Sequence, residues 1–122
     1  RDIEGENLLY LPQAKVYHRS CAVGPWVRVG ATEVEAREWD ISMQIGRDGE
    51  TVFEGAVSVN QIKRSFGGLR DFMFQSQVFP FGCALLTGTG IVPDDDFTLE
   101  EGDTIRIEIS GIGCLHNPVV RV

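Results

Sequence analysis

The stretch Trp39-Asp40-Ile41-Ser42-Met43-Gln44-Ile45-Gly46-Arg47-Asp48-Gly49 decides the fold class. Trp39, Ile41, Met43 and Ile45 alternate with Asp40, Ser42 and Gln44, and a period of two places the four apolar side chains on one face of a strand. Asp48-Gly49 then supplies hairpin-turn chemistry, and Thr51-Val52-Phe53 predicts the returning strand.

Moving toward the C-terminus, Ile62, Phe66, Leu69 and Met73 recur at intervals of four, three and four within residues 60–75, the stripe of one amphipathic helix. Ser58 or Asn60 is a candidate cap. Gly67-Gly68 in the middle disfavours a continuous helix, so the segment reads as one helix or two short ones. Strand signals return at Ala84-Leu85-Leu86-Thr87, at Thr104 to Ile109 and at Leu115 with Val119-Val120-Arg121-Val122, separated by Gly-rich turns. On the N-terminal side, Pro12 and Gly24-Pro25 exclude a long helix, leaving loop and a short strand over Ala14 to Tyr17. The class is β-rich with one short helical segment, in a sandwich or barrel-like arrangement.

A length of 122 residues fits one domain. Eleven Lys and Arg against 18 Asp and Glu give a net charge of −7, and these scattered cations do not form the footprint that nucleic acid requires. No apolar run reaches a membrane span, and no signal-peptide block is evident, so no membrane partner is expected. Cys21, Cys83 and Cys114 are odd in number and widely spread, which suits reduced thiols and a cytoplasmic setting. The chain opens at Arg1 without Met and is expected to be a piece of something longer.

Several motifs invite chemistry. Thr87-Gly88-Thr89-Gly90 fails both nucleotide fingerprints: Pro93 occupies the third glycine position and no Gly-Lys-Ser/Thr follows. Its backbone N–H groups and hydroxyls suit a carboxylate instead. Asp94-Asp95-Asp96 reads as a solvated acidic loop, since adjacent carboxylates diverge and the calcium-loop spacing is missing. His18 with Cys21, and Cys114 with His116, lack the knuckle spacing of a zinc site. Lys15, between Ala14 and Val16, either snorkels to solvent or faces an anion.

Four segments in fixed order resemble the C-terminal half of the fumarylacetoacetate hydrolase family. Arg1-Asp2 resembles the end of that family's Ser-Ala-Arg-Asp motif, and Leu11-Pro12-Gln13-Ala14-Lys15 with Gly24-Pro25 its lysine segment. Leu85-Leu86-Thr87-Gly88-Thr89-Gly90 resembles its Thr-Gly-Thr-Pro segment, and Leu99 to Asp103 through Ile109-Ser110-Gly111-Ile112-Gly113 to Asn117-Pro118-Val119 its closing hairpin.

The resemblance implies a mixed β-sandwich roll and a usual homodimer. It also implies one Mg²⁺, Mn²⁺ or Ca²⁺ held by a Glu-x-Glu pair and an Asp, with all three ligands upstream of Arg1 and none in this chain. Residues 1–122 would then be the C-terminal part of a single catalytic domain, inactive in isolation. Glu33-Val34-Glu35 lies on the wrong side of Lys15 to be the metal pair, and Glu108 is flanked by Arg106 and Ser110. Arg1 and Lys15 are the implied catalytic residues, stabilising negative charge on the substrate oxygen, and Thr89 joins them in substrate binding by holding the carboxylate.

Two departures from the common family pattern, Pro-Gln-Ala-Lys-Val-Tyr at 12–17 and Thr-Gly-Thr-Gly-Ile-Val-Pro at 87–93, most resemble the branch that dehydrates 2-keto-3-deoxy sugar acids. The implied activity is a divalent-metal-dependent hydro-lyase acting on a small 2-oxo acid through an enolate stabilised by the cation. An acylpyruvate hydrolase or oxaloacetate decarboxylase of the same family is the alternative within it. A non-catalytic structural or dimerisation module is the alternative outside it.

Overall fold

In the computed structural model, which describes residues 8–10, 12 and 15–122, the alternating stretch forms the central strand β1 (Asp40–Arg47). Three further strands, β2 (Glu50–Ser58), β3 (Thr104–Ile109) and β4 (Gly113–Pro118), complete an antiparallel sheet in the order β2-β1-β3-β4. Arg47 pairs with Glu50 across a two-residue turn in which Asp48 (φ 52°) and Gly49 (φ 86°) both take positive φ, as the Asp-Gly dipeptide predicts. A register shift follows at Ile45/Gly46, where Ile45 faces Phe53 and Gly46 faces Thr51.

The period of two sorts the sheet into two faces. Ile41, Met43 and Ile45 align with Val57, Gly55 and Phe53 on one side and with Ile109, Ile107 and Ile105 on the other. Ser42, Gln44, Glu54, Arg106, Glu108 and His116 share the opposite, polar face. On the apolar face Ile91 packs against Gly55, and Gly90 against Val57, where an added Cβ would come 3.1 Å from Cγ2. Among the described residues the apolar core comprises Ala36, Ile45, Val59 and Ile91.

Both ends of β1 are tied down. At its N-terminal end the Asp40 N–H donates to Ser110 Oγ and the Ser110 N–H donates back to Asp40 O, each at 3.0 Å. The Trp39 indole lies so close over Gly111 that a Cβ there would overlap the ring, while Trp26 approaches Gly113, the other glycine of that turn. At its C-terminal end the Arg47 guanidinium donates to both Asp103 oxygens at 2.8 Å, to the Thr98 carbonyl at 2.9 Å and to Glu100. Asp103 is 1% exposed and its Oδ2 also accepts the Glu100 N–H. Arg47 and this N–H hold the Asp103 carboxyl down to about 2.

Beside the sheet, two α-helices have described bounds, α1 (Glu33–Arg37) and α2 (Phe66–Phe74). The sequence reading finds only the second and starts it too early. Ser65 accepts the Gly68 N–H as N-cap, so Gly67 and Gly68 occupy the first turn of α2 rather than its middle. Ser58 instead caps the separate 3₁₀ turn Val59–Gln61. The signal for α1 is Thr32-x-x-Glu35, in which the Glu35 N–H donates to Thr32 Oγ1.

Three expected strands are corrected. Ala84–Thr87 is not hydrogen-bonded into the sheet, and Leu86 is 71% exposed. An apolar run forms a strand only where a partner supplies its ladder, and among the described residues none does. Val119–Val122 lies beyond β4; Val119 bonds to Asp103 O and Gly102 N, and ladder pairing stops there. Lys15 is helical and Val16 and Tyr17 form a bend rather than a strand, and Ala14 lies outside the described residues.

The total accessible surface, 9754 Å², exceeds the roughly 6500 Å² that size scaling gives for a compact monomer of this mass. Val78, Phe81 and Leu86 contribute to the apolar part of that excess.

Candidate functional site

Docking of Gly90 and Ile91 on β2 carries the preceding residues to the end of the apolar face, where they wall a cleft of about 400 Å³. Ile41, Val57, Val59 and Leu69 make its lining apolar; Thr87–Gly90 contributes one segment and Gln61–Arg64 another. Gly88 has φ +92°, a left-handed conformation that glycine adopts without strain and that sets Thr87 and Thr89 on either side of it.

Thr89 Oγ1 accepts the Ile91 N–H at 3.0 Å, while its own donation to the Ile91 carbonyl is longer, 3.3 Å. A hydroxyl carries one proton and two lone pairs, so the Ile91 N–H fixes its position and the weakly engaged proton can turn toward an acceptor in the cleft. This arrangement suits a carboxylate oxygen.

The segment bearing Lys63 and Arg64 is fixed from outside the cleft. Arg37 donates to the Ile62 carbonyl at 2.8 Å and to the Arg64 carbonyl at 2.9 Å, while its Nε and Nη2 engage Glu33 Oε1. Glu33 Oε2 accepts the Phe66 N–H at 3.0 Å, and the guanidinium lies 5.2 Å from the Phe66 ring centroid. Arg37, then burial opposing it, then the Phe66 N–H act on the Glu33 carboxyl, and the net effect holds it below the usual carboxylate range. No part of this clamp was legible in the motifs, although Glu33 and Arg37 stand at the helical i,i+4 spacing of an ion pair.

The other sequence candidates lie elsewhere. Lys15 is exposed, its carbonyl accepts Ser20 Oγ at 3.1 Å, and it is not among the residues lining the Thr89 cleft. Arg1 lies outside the described residues. His116 faces a second, polar pocket with Gln44 and Arg106, and Arg106 is paired with Glu108. Among the described residues, no three His, Cys, Asp or Glu side chains come together as a metal site, Asp94-Asp95-Asp96 and the His/Cys pairs included. No helix among them is long and apolar enough to cross a membrane.

Comparison with known proteins gives one consistent answer. A probable 2-keto-3-deoxyxylonate dehydratase of Haloferax volcanii is 43% identical over 122 residues, all of this chain and 42% of the relative. A 2-dehydro-3-deoxy-D-arabinonate dehydratase of Saccharolobus solfataricus is 40% identical over 119 residues, 98% of this chain and 40% of the relative. The chain thus spans about two fifths of the length of these curated relatives. The solved structure of 2-keto-3-deoxy-D-arabinonate dehydratase complexed with magnesium and 2,5-dioxopentanoate superposes with a TM-score of 0.94 at 38% identity, over all of this chain and 43% of that one. Its similarity covers the sheet and the cleft together. The family model for the fumarylacetoacetate (FAA) hydrolase C-terminal region matches residues 1–120, and the chain belongs to that family.

Proposed function

We propose that residues 1–122 are the C-terminal part of a single catalytic domain whose full-length protein dehydrates 2-keto-3-deoxy aldonic acids. The observation that carries this reading is the Thr89 hydroxyl, oriented by Ile91 at the cleft, in a chain 43% identical to a sugar-acid dehydratase. The described residues offer no three-ligand group of His, Cys, Asp or Glu for a divalent cation. The reading takes Mg²⁺, or Mn²⁺ or Ca²⁺, as the cofactor, supported by the magnesium in the similar dehydratase structure, and proposes its ligands outside this chain.

What this chain contributes is substrate binding and charge stabilisation. Thr89 donates to the substrate carboxylate. Lys15, although it does not line the Thr89 cleft in this chain, and Arg1 are assigned by the family resemblance to stabilise the negative charge that grows on the 2-oxo oxygen as a C3 proton leaves, which is where preorganised positive groups lower the barrier. The C4 hydroxyl then departs with a proton as water, leaving a C3–C4 double bond; in a five-carbon acid, loss of a C5 proton with protonation at C3 gives the C4–C5 enol, which tautomerises to the semialdehyde. The 2,5-dioxopentanoate in the similar dehydratase is the compound such a dehydration gives from a five-carbon acid. The same reading makes the protein a cytoplasmic homodimer without nucleic-acid or membrane partners, in keeping with its net charge of −7 and free cysteines.

Incubation of the full-length protein with Mg²⁺ and 2-keto-3-deoxypentonate tests the proposal. A semialdehyde product is expected. Turnover of an acylpyruvate or oxaloacetate in its place assigns the protein to another reaction of the family.

A further inference from the structure

We infer that Lys63 and Arg64 form the receiving site for the carboxylate of the 2-oxo acid, facing Thr89 across the cleft, and so determine specificity for anionic substrates. The inference rests on the dehydratase reading for the identity of the substrate, but on separate observations for the site.

Both residues line the same cleft as Thr87–Gly90. Among the described residues neither side chain is in an ion pair, whereas Arg28, Arg37, Arg47, Arg70 and Arg106 each have a carboxylate partner. In a chain of net charge −7, two adjacent unpartnered cations beside an apolar lining are a local reversal of the overall field. An anion entering that cleft gains nothing from Ile41, Val57, Val59 or Leu69, so its charge must be met at the walls. Among the lining residues, Lys63 and Arg64 are the charged groups that can meet it, beside the Thr89 proton and the donors of Ser58, Gln61 and Thr87.

The backbone under these cations is held on both sides. Arg37 bonds the carbonyls of Ile62 and Arg64, the residues flanking Lys63, and Glu33 fixes Phe66 beyond them. Glu33 also neutralises Arg37, which leaves Lys63 and Arg64 as the net positive charge of the segment. Held backbone reduces the ordering cost of binding, the usual advantage of a preorganised site.

The test uses the full-length protein with Mg²⁺ and its Lys63→Gln, Arg64→Gln and double variants, with Tm as the folding control. Each single variant should raise KM for the sugar acid roughly tenfold, the scale of one charge-assisted hydrogen bond, while kcat falls far less. Raising the ionic strength should lower kcat/KM less in the double variant than in the wild type. Calorimetric titration with pyruvate, the minimal 2-oxo acid, reports the site without chemistry. If the wild type binds pyruvate and the double variant does not, the site stands even where the sugar acid is not turned over, and the dehydratase reading alone falls. Unchanged pyruvate affinity and unchanged KM in a folded double variant overturn the inference.

Discussion

Arg47 grips Asp103 through both carboxylate oxygens, each at 2.8 Å, and so joins the end of β1 to the turn that starts β3. The Asp103 carboxyl is held at about 2, below its ordinary 3.8, first by Arg47 and then by the Glu100 N–H. The unfolded chain therefore takes up the proton at higher pH than the folded one. The stabilisation is complete above about pH 4 and is lost as pH falls through about 2. Asp103→Asn should flatten this part of the acid limb in a urea-denaturation series against pH, and should lower Tm at pH 7 far more than Asp71→Asn in the exposed Arg70–Asp71 pair.

Thr89→Val in the full-length protein keeps the side-chain shape and removes the hydroxyl. Its kcat/KM for the sugar acid should drop roughly tenfold or more, while Thr89→Ser stays within a few-fold of wild type. Equal activity of the valine variant would remove Thr89 from the binding site.

Gly111→Ala places a methyl group in the Trp39 indole. Overpacking of this kind costs about 1–3 kcal/mol, to be read as a lower denaturation midpoint at constant m-value. A neutral result would mean that Trp39 moves aside freely.

Glu33→Ala frees the Phe66 N–H and removes the partner of Arg37. Hydrogen exchange at the Phe66 amide should accelerate at least tenfold, with little change in the β1–β3 ladder. Glu33→Gln should be intermediate, since it keeps an acceptor without the charge.

Chelation of divalent ions should abolish sugar-acid dehydration by the full-length protein, and Mg²⁺ should restore it. Titration of Mg²⁺ into the 122-residue chain alone should show no tight one-to-one binding. Heat of such binding would place ligands within these residues.

What the sequence disclosed follows from how local each signal is. The β1–β2 hairpin was readable because alternation and Asp48-Gly49 chemistry act within a few residues. Helix α2 was readable as a stripe, but its start depended on Ser65 outcompeting Ser58 as the cap, a choice that the 3₁₀ turn at Val59–Gln61 decides. Ala84–Thr87 misled because an apolar run does not disclose whether a partner strand is present. At the candidate site, the Gly-rich context is what singles out Thr89 in the sequence. Lys63 and Arg64 carry no motif that would single them out: their place on the cleft depends on Arg37, whose bonds to Ile62 and Arg64 span 25 and 27 residues.

The turn between β3 and β4 receives both tryptophans of the chain, Trp39 over Gly111 and Trp26 with Cδ1 3.1 Å from where a Cβ of Gly113 would lie. These are two optical probes converging on one small structure from separate parts of the sequence. Intrinsic fluorescence of the chain therefore reports the closing of this turn rather than a global average, and single Trp→Phe variants can time the arrival of residue 26 and residue 39 independently.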